Sequence, residues 1–167
     1  MNNSSKINVL FVCLGNICRS PLAEGVFQSV LKSYNLEDAF VIDSAGTSNY
    51  HVGDLADDRA RKVAKQNGII LNHRARQFIS QDFTNFDYIL VMDHLNYDAV
   101  LSISKDANDQ QKVFLFRSFD ETNIDDYNVP DPYYGGDDDF IEVMEIVSRA
   151  SHGFIKFLEQ DAKISIA

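Results

Sequence analysis

The stretch that decides the fold runs Ile7-Asn8-Val9-Leu10-Phe11-Val12-Cys13-Leu14-Gly15-Asn16-Ile17-Cys18-Arg19-Ser20-Pro21. Residues 7–12 form a nearly continuous apolar run, the pattern of a strand buried on both faces as in a parallel sheet. Ser20 is a favoured helix cap, and Pro21 is favoured at a first helical position. Leu22, Val26, Val30 and Leu31 then recur at helical spacing, which predicts a helix over 21–34. Residues 13–19 therefore read as a tight loop between a buried strand and a helix N-terminus.

Outward from this segment the pattern alternates. Phe40-Val41-Ile42 reads as a second strand, ending at Asp43-Ser44-Ala45-Gly46. A helix is expected over 54–67, with Asn67-Gly68 as its stop. Residues 86–92 read as a third strand, and Asp93 can cap a helix reaching about Ile103. Residues 112–116 make a fourth strand. A long loop with Pro130 and Pro132 precedes a last helix from about Phe140 to Glu159. Asp137, Asp138 and Asp139 open that helix, where acidic residues favour the dipole. Val143, Ile146, Val147, Phe154, Ile155 and Leu158 form its buried face. The alternation predicts an α/β fold, a doubly wound four-stranded parallel sheet with helices on both faces. The 167 residues fit one domain over 1–167, with 1–6 flexible, since only three prolines and no low-complexity linker interrupt them. Such sheets bind ligands beyond the carboxyl ends of their strands, at a topological switch point. Cys13 sits at that kind of end.

Composition narrows the function. The 15 basic and 25 acidic residues give a net charge of −10, which argues against a nucleic-acid partner. No apolar stretch is long enough for membrane insertion. The polar N-terminus has no signal-peptide pattern, so a soluble, cytoplasmic protein is expected. Cys13 and Cys18 share one segment and make no disulfide framework. His51, His73, His94 and His152 are scattered, so neither a metal nor a cofactor is expected. Neither a Gly-x-Ser-x-Gly serine-hydrolase motif nor a Gly-rich Lys-Ser/Thr nucleotide loop occurs.

The loop itself suits one chemistry. Successive backbone N–H groups of Leu14, Gly15, Asn16, Ile17, Cys18 and Arg19 can turn inward as an anion-binding nest, helped by the helix N-terminus. Gly15 and Asn16 are the residues best able to take left-handed conformations. Arg19 can grip two phosphate oxygens in a fork, which Lys cannot. Cys13 would lie beneath the phosphorus as a nucleophile, because helix N-termini and cations favour the thiolate. Ser20 can donate to that sulfur. The alternative is a structural turn with two buried cysteines. Arg19 weighs against it, since the loop carries no carboxylate to neutralise it.

With these residues in place, the segment resembles the phosphate-binding loop of the low-molecular-weight protein-tyrosine phosphatases. The resemblance covers about residues 7–160. It includes Asp43-Ser44-Ala45-Gly46-Thr47-Ser48, Ala75-Arg76-Gln77, Phe86-Asp87-Tyr88-Ile89-Leu90, Met92-Asp93 and Asp131-Pro132-Tyr133-Tyr134-Gly135. It implies a phosphotyrosine phosphatase I-like fold, a phosphotyrosine protein as substrate and inorganic phosphate as product. Tyrosine leaves as a poor leaving group, with a pKa of ~10, so a general acid is needed. The resemblance gives that role to Asp131, which Pro130 and Pro132 hold on a stiff loop. It makes Tyr133 and Tyr134 cleft walls. It places Tyr50 on the opposite wall, beside the plain reading of a half-exposed loop aromatic. Asn16, Ser44 and His73 match a supporting hydrogen-bond network. Asp93 matches a residue that orients the Arg, and helix capping remains its alternative.

Cys18 lies close enough in sequence to trap an oxidised Cys13 as a disulfide, so redox sensitivity is expected. Three rival readings differ in their residues. Arsenate reductases of similar fold need further relay cysteines, and none follows Cys18. A silent phosphate-binding module would not need Cys13, Arg19 and Asp131 together. Arginine phosphatases of the same family have Thr at the position of Ile17; Ile17 and the Tyr133-Tyr134 pair favour phosphotyrosine.

Overall fold

The computed structural model describes residues 5–123 and 125–166. In chain order the elements begin with β1 (Ile7–Cys13), α1 (Arg19–Ser33), β2 (Phe40–Gly46), α2 (Asp58–Gln66) and α3 (Asp82–Asn85). They continue with β3 (Tyr88–Val91), α4 (His94–Leu101), α5 (Ala107–Gln110), β4 (Val113–Leu115) and α6 (Asp137–Gln160). Single 3-10 turns occupy Glu37–Ala39 and Phe116–Phe119. All strand pairs are parallel, in the order β2-β1-β3-β4. The four-stranded parallel α/β architecture expected from the alternation is the one observed.

Interior position explains the unbroken apolar run of β1. Val9, Phe11 and Cys13 face the core covered by α1 and α6, whereas Leu10 and Val12 face Ile89, Val91, Phe83 and Val100 on the other side. Successive side chains point to opposite faces, so a strand covered on both must be apolar throughout. Phe11 meets Phe27 and Phe116 edge-on at 5.6 and 5.1 Å between centroids. Burying each such ring contributes about 1.5–3 kcal/mol. From β1 the chain first goes outward to β2 and later returns to β1's other side as β3. The β1–α1 loop therefore opens at the switch point, where neighbouring connections diverge.

Several boundaries differ from the sequence reading. Helix α1 starts at Arg19, two residues before Pro21, and Ser20 is no cap, because its hydroxyl is drawn to Cys13 and Asn16. Helix α2 starts at Asp58, because Asp57 caps it and Leu55 bridges to Arg74 as extended chain. Helix α6 begins earlier than Phe140, where the Asp139 carboxylate accepts from the Gly136 N–H at 2.7 Å. Strands β3 and β4 are shorter than expected, and α3 and α5 were not anticipated. Residues 1–4 of the segment expected to be flexible lie outside the described residues; Ser5 and Lys6 precede β1 without regular structure. Among the described residues, no helix is long and apolar enough to cross a membrane.

Candidate active site

Cys13 ends β1, and its carbonyl accepts from the Thr47 N–H at 2.9 Å. Its Sγ lies 2.9 Å from Ser20 Oγ and receives the Asn16 N–H at 3.3 Å. Ser20 Oγ already accepts from Asn16 Nδ2 at 2.8 Å, and Ala45 O is farther away at 3.4 Å. The hydroxyl hydrogen is thus left for the sulfur. The Cys13 sulfur is thus the acceptor of two converging donors, the Asn16 N–H and the Ser20 hydroxyl.

Asn16 is the residue in which the loop concentrates its strain and its bonds. Its φ is 57°, in the left-handed region, where Asn is better tolerated than most side chains. Gly15 does not share that conformation. Glycine serves there because a Cβ would come 3.1 Å from the His51 ring. Buried Asn16 donates from Nδ2 to Ser44 Oγ at 3.0 Å as well as to Ser20. Its Oδ1 lies 2.8 Å from His73 Nε2 and accepts from the Arg76 N–H at 3.0 Å. Asn16, Ser20, Ser44 and His73 therefore meet in one network behind Cys13.

Arg19, 3% exposed, sends Nη1 to Asp93 Oδ2 at 2.6 Å and to Val129 O at 3.1 Å. Its Nη2 is 3.5 Å from Asp131 Oδ2. Burial works against its charge, but Cys13, Asp93 and Asp131 more than offset this and raise its pKa further. Asp93 makes contacts of both kinds its sequence context left open. Oδ1 caps α4 through the Asn96 N–H at 2.7 Å while Oδ2 holds Arg19.

A cavity of about 230 Å³ opens over this loop. Cys13, Ile17, Cys18 and Arg19 form its floor, and Asp131, Tyr133 and Tyr134 one wall. Tyr50 and His51 line the cavity as well. The Tyr133 and Tyr134 rings are nearly perpendicular, 5.0 Å apart. Tyr134 is 93% exposed and Tyr50 77%, so both stand at the rim. His51 was not anticipated. Its ring lies 6.4 Å from that of Tyr133, and its Nδ1 is 3.3 Å from Asp54 Oδ2; only adjacency to Tyr50 pointed to it. Burial, followed by Asp57 and Cys13, pushes the Cys18 thiol far up.

One further cluster lies behind the network. Atoms of Glu24, Asp43 and His73 fall within 4.8 Å of one another. Folding thus sets beside two carboxylates a histidine that looked isolated in sequence. The Arg76 guanidinium, 3.0 Å from Asp43 Oδ2, supplies a cation there, and His73 Nε2 is committed to Asn16. Burial, with Asp43 second, pushes the Glu24 carboxyl up to about 7.

Comparison with known proteins gives a consistent answer. A family model described as low molecular weight phosphotyrosine protein phosphatase matches residues 8–164. A fission-yeast (Schizosaccharomyces pombe) low molecular weight phosphotyrosine protein phosphatase is 43% identical over 92% of this chain and 97% of its own. The crystal structure of an Entamoeba histolytica protein tyrosine phosphatase, with Hepes in its active site, superposes with a TM-score of 0.89. It is 42% identical and covers 95% of this chain and 100% of its own. A Drosophila arginine phosphatase superposes with a TM-score of 0.81 at 31% identity, over 90% of this chain and 97% of its own. With a match that runs from the second residue of β1 past the end of α6, this chain belongs to the low molecular weight phosphotyrosine protein phosphatases.

Proposed function

We propose that the chain hydrolyses phosphotyrosine in proteins through a cysteinyl-phosphate intermediate. The observation that carries this reading is the convergence of Cys13, Arg19 and Asp131 on one cavity, with two donors at the Cys13 sulfur. Cys13 Sγ attacks phosphorus, forming an S–P bond as the P–O bond to tyrosine breaks. Asp131 donates its proton to the departing phenolate oxygen. The Asp131 carboxylate then takes a proton from water, which attacks phosphorus, releases inorganic phosphate and returns the Cys13 thiolate. The backbone N–H groups of residues 14–19 and the Nε–Nη2 edge of Arg19 hold the phosphoryl oxygens throughout. Preorganised donors of this kind supply much of the rate enhancement.

Asn16, Ser44 and His73 keep the loop in shape, and Ser20 stabilises the sulfur. Asp93 fixes Arg19, and Tyr50, Tyr133 and Tyr134 flank the substrate ring. No step calls for a metal or cofactor. Dependence on a free Cys13 thiol favours a reducing compartment such as the cytoplasm.

The deciding experiment is hydrolysis of a phosphotyrosine peptide by reduced protein in EDTA, beside Cys13→Ser. Turnover that survives EDTA and vanishes in the variant is expected. Silence of the wild type toward phosphotyrosine, with turnover of phosphoarginine, would instead favour the activity named for the Drosophila relative.

A further inference from the structure

We propose that Arg59 is a positioning residue for the acid loop, locking Asp131 in register with the phosphate-binding loop. The inference rests on Asp131 being the general acid, as proposed above. Arg59 lies in the first turn of α2, outside the cavity floor, yet its guanidinium makes four hydrogen bonds. Nε and Nη2 clasp both oxygens of Asp57 at 3.0 and 3.1 Å. Nη2 also donates to Tyr133 O and Nη1 to Gly135 O, each at 2.9 Å. These carbonyls flank the acid loop just after Asp131, whose Oδ1 accepts from the Tyr133 N–H at 3.1 Å. The guanidinium also covers the Phe140 ring at 4.6 Å and the Tyr133 ring at 5.8 Å.

The other end of this brace is the phosphate loop. Asp57 donates its own N–H to Ile17 O at 2.8 Å, inside the segment that holds the phosphoryl group. Two loops about 110 residues apart in sequence are thus joined through two adjacent groups, Asp57 and Arg59. Burial works against the Asp57 charge, but the Arg59 side chain and backbone outweigh it and hold its carboxyl below the usual range. The hydrogen bond from Arg59 to Asp57 in turn raises the arginine's pKa. Lys has no planar fork to serve Asp57, two carbonyls and a ring face together. A misplacement of the acid by about 1 Å is enough to cost ~10²-fold in rate.

The test compares kcat/KM for phenyl phosphate, whose leaving group needs a proton, with 4-nitrophenyl phosphate, whose leaving group needs it far less. The proteins are wild type, Arg59→Leu, Arg59→Lys, Asp131→Ala and the Arg59→Leu/Asp131→Ala double variant. Arg59→Leu is expected to lose about 10- to 100-fold on phenyl phosphate and roughly 3-fold or less on 4-nitrophenyl phosphate. Inhibition by inorganic phosphate should stay unchanged, Arg59→Lys should fall between, and Arg59→Leu should add no loss to Asp131→Ala. Equal losses on both substrates, or a full additional loss in the double variant, overturns the inference. If Asp131→Ala itself slows both substrates equally, the acid assignment fails and this role falls with it. A substrate-selective Asp131→Ala beside an unselective Arg59→Leu overturns the Arg59 role alone. Should Arg59→Leu not fold, Asp57→Asn carries the test. Asn still caps α2, and the same substrate selectivity is expected at smaller size; its absence counts against the brace.

Discussion

The two oxygens of Asp93 do different work: Oδ2 binds Arg19 Nη1 at 2.6 Å, and Oδ1 caps α4 at 2.7 Å. Substitution can separate them. Asp93→Asn keeps a capping oxygen but removes the charge facing Arg19. It should lower stability, because buried Arg19 loses a counter-charge, and weaken inhibition by inorganic phosphate several-fold. Asp93→Ala should weaken phosphate equally and also lose about 1 kcal/mol of stability with the cap. Denaturant melts paired with phosphate inhibition constants check both outcomes.

Asn16 combines a left-handed backbone with a four-partner side chain. Asn16→Gly accepts the backbone conformation and removes the bonds, whereas Asn16→Ala bears both losses. Both variants should lose phosphate affinity. Asn16→Ala should be less stable than Asn16→Gly by about 1 kcal/mol. Equal melts would assign the cost to hydrogen bonding alone.

Peroxide should oxidise Cys13 to a sulfenic acid while peroxide is reduced to water. Condensation with the Cys18 thiol then releases water and forms a disulfide. Wild-type activity lost to peroxide should return on adding dithiothreitol, and Cys18→Ser should recover far less. Because the Cys18 thiol is pushed far up, formation of the disulfide should quicken as pH rises. Non-reducing mass spectrometry of the peroxide-treated protein reads the bond directly.

Asp120 gives the fold an acid-sensitive brace. Buried Asp120 accepts from Thr122 N–H and Oγ1–H and from Arg149 Nε. Burial opposes its charge, but the Thr122 and Arg149 bonds outweigh this and hold the carboxyl below its ordinary 3.8. With the folded pKa depressed, the stability it contributes is present above about pH 3.8 and disappears as pH falls further. Asp120→Asn should cost about 2 kcal/mol at pH 7. Its urea midpoint should approach the wild type's only as pH falls through the depressed folded-state pKa.

The parts of this molecule written locally were legible from sequence. The apolar run 7–12, the Asn67-Gly68 stop and the long amphipathic α6 each carry their signal within a few neighbouring residues. The loop of Cys13 and Arg19 was legible for the same reason. What escaped was set by contacts between distant segments. Ser20 looked like a cap, but Cys13 and Asn16 claim its hydroxyl. His73 looked solitary until β2 and α1 brought Asp43 and Glu24 beside it. His51 and Arg59 carry no motif, and their contacts with Tyr133 arise only because the 131–135 loop folds back beside the start of α2.

The site is built from parts of unequal permanence. Cys13 ends the central strand β1, with Gly46 as its β2 partner, so its backbone is anchored to the core of the sheet. The 131–135 loop is fastened chiefly by individual hydrogen bonds and ring contacts at the surface. Amide hydrogen exchange should therefore be slowest in the strand that ends at Cys13 and far faster in the loop that carries Asp131. On gentle warming the order around Asp131 should go before that around Cys13, and the protein should still be inhibited by inorganic phosphate at temperatures where its turnover has already fallen.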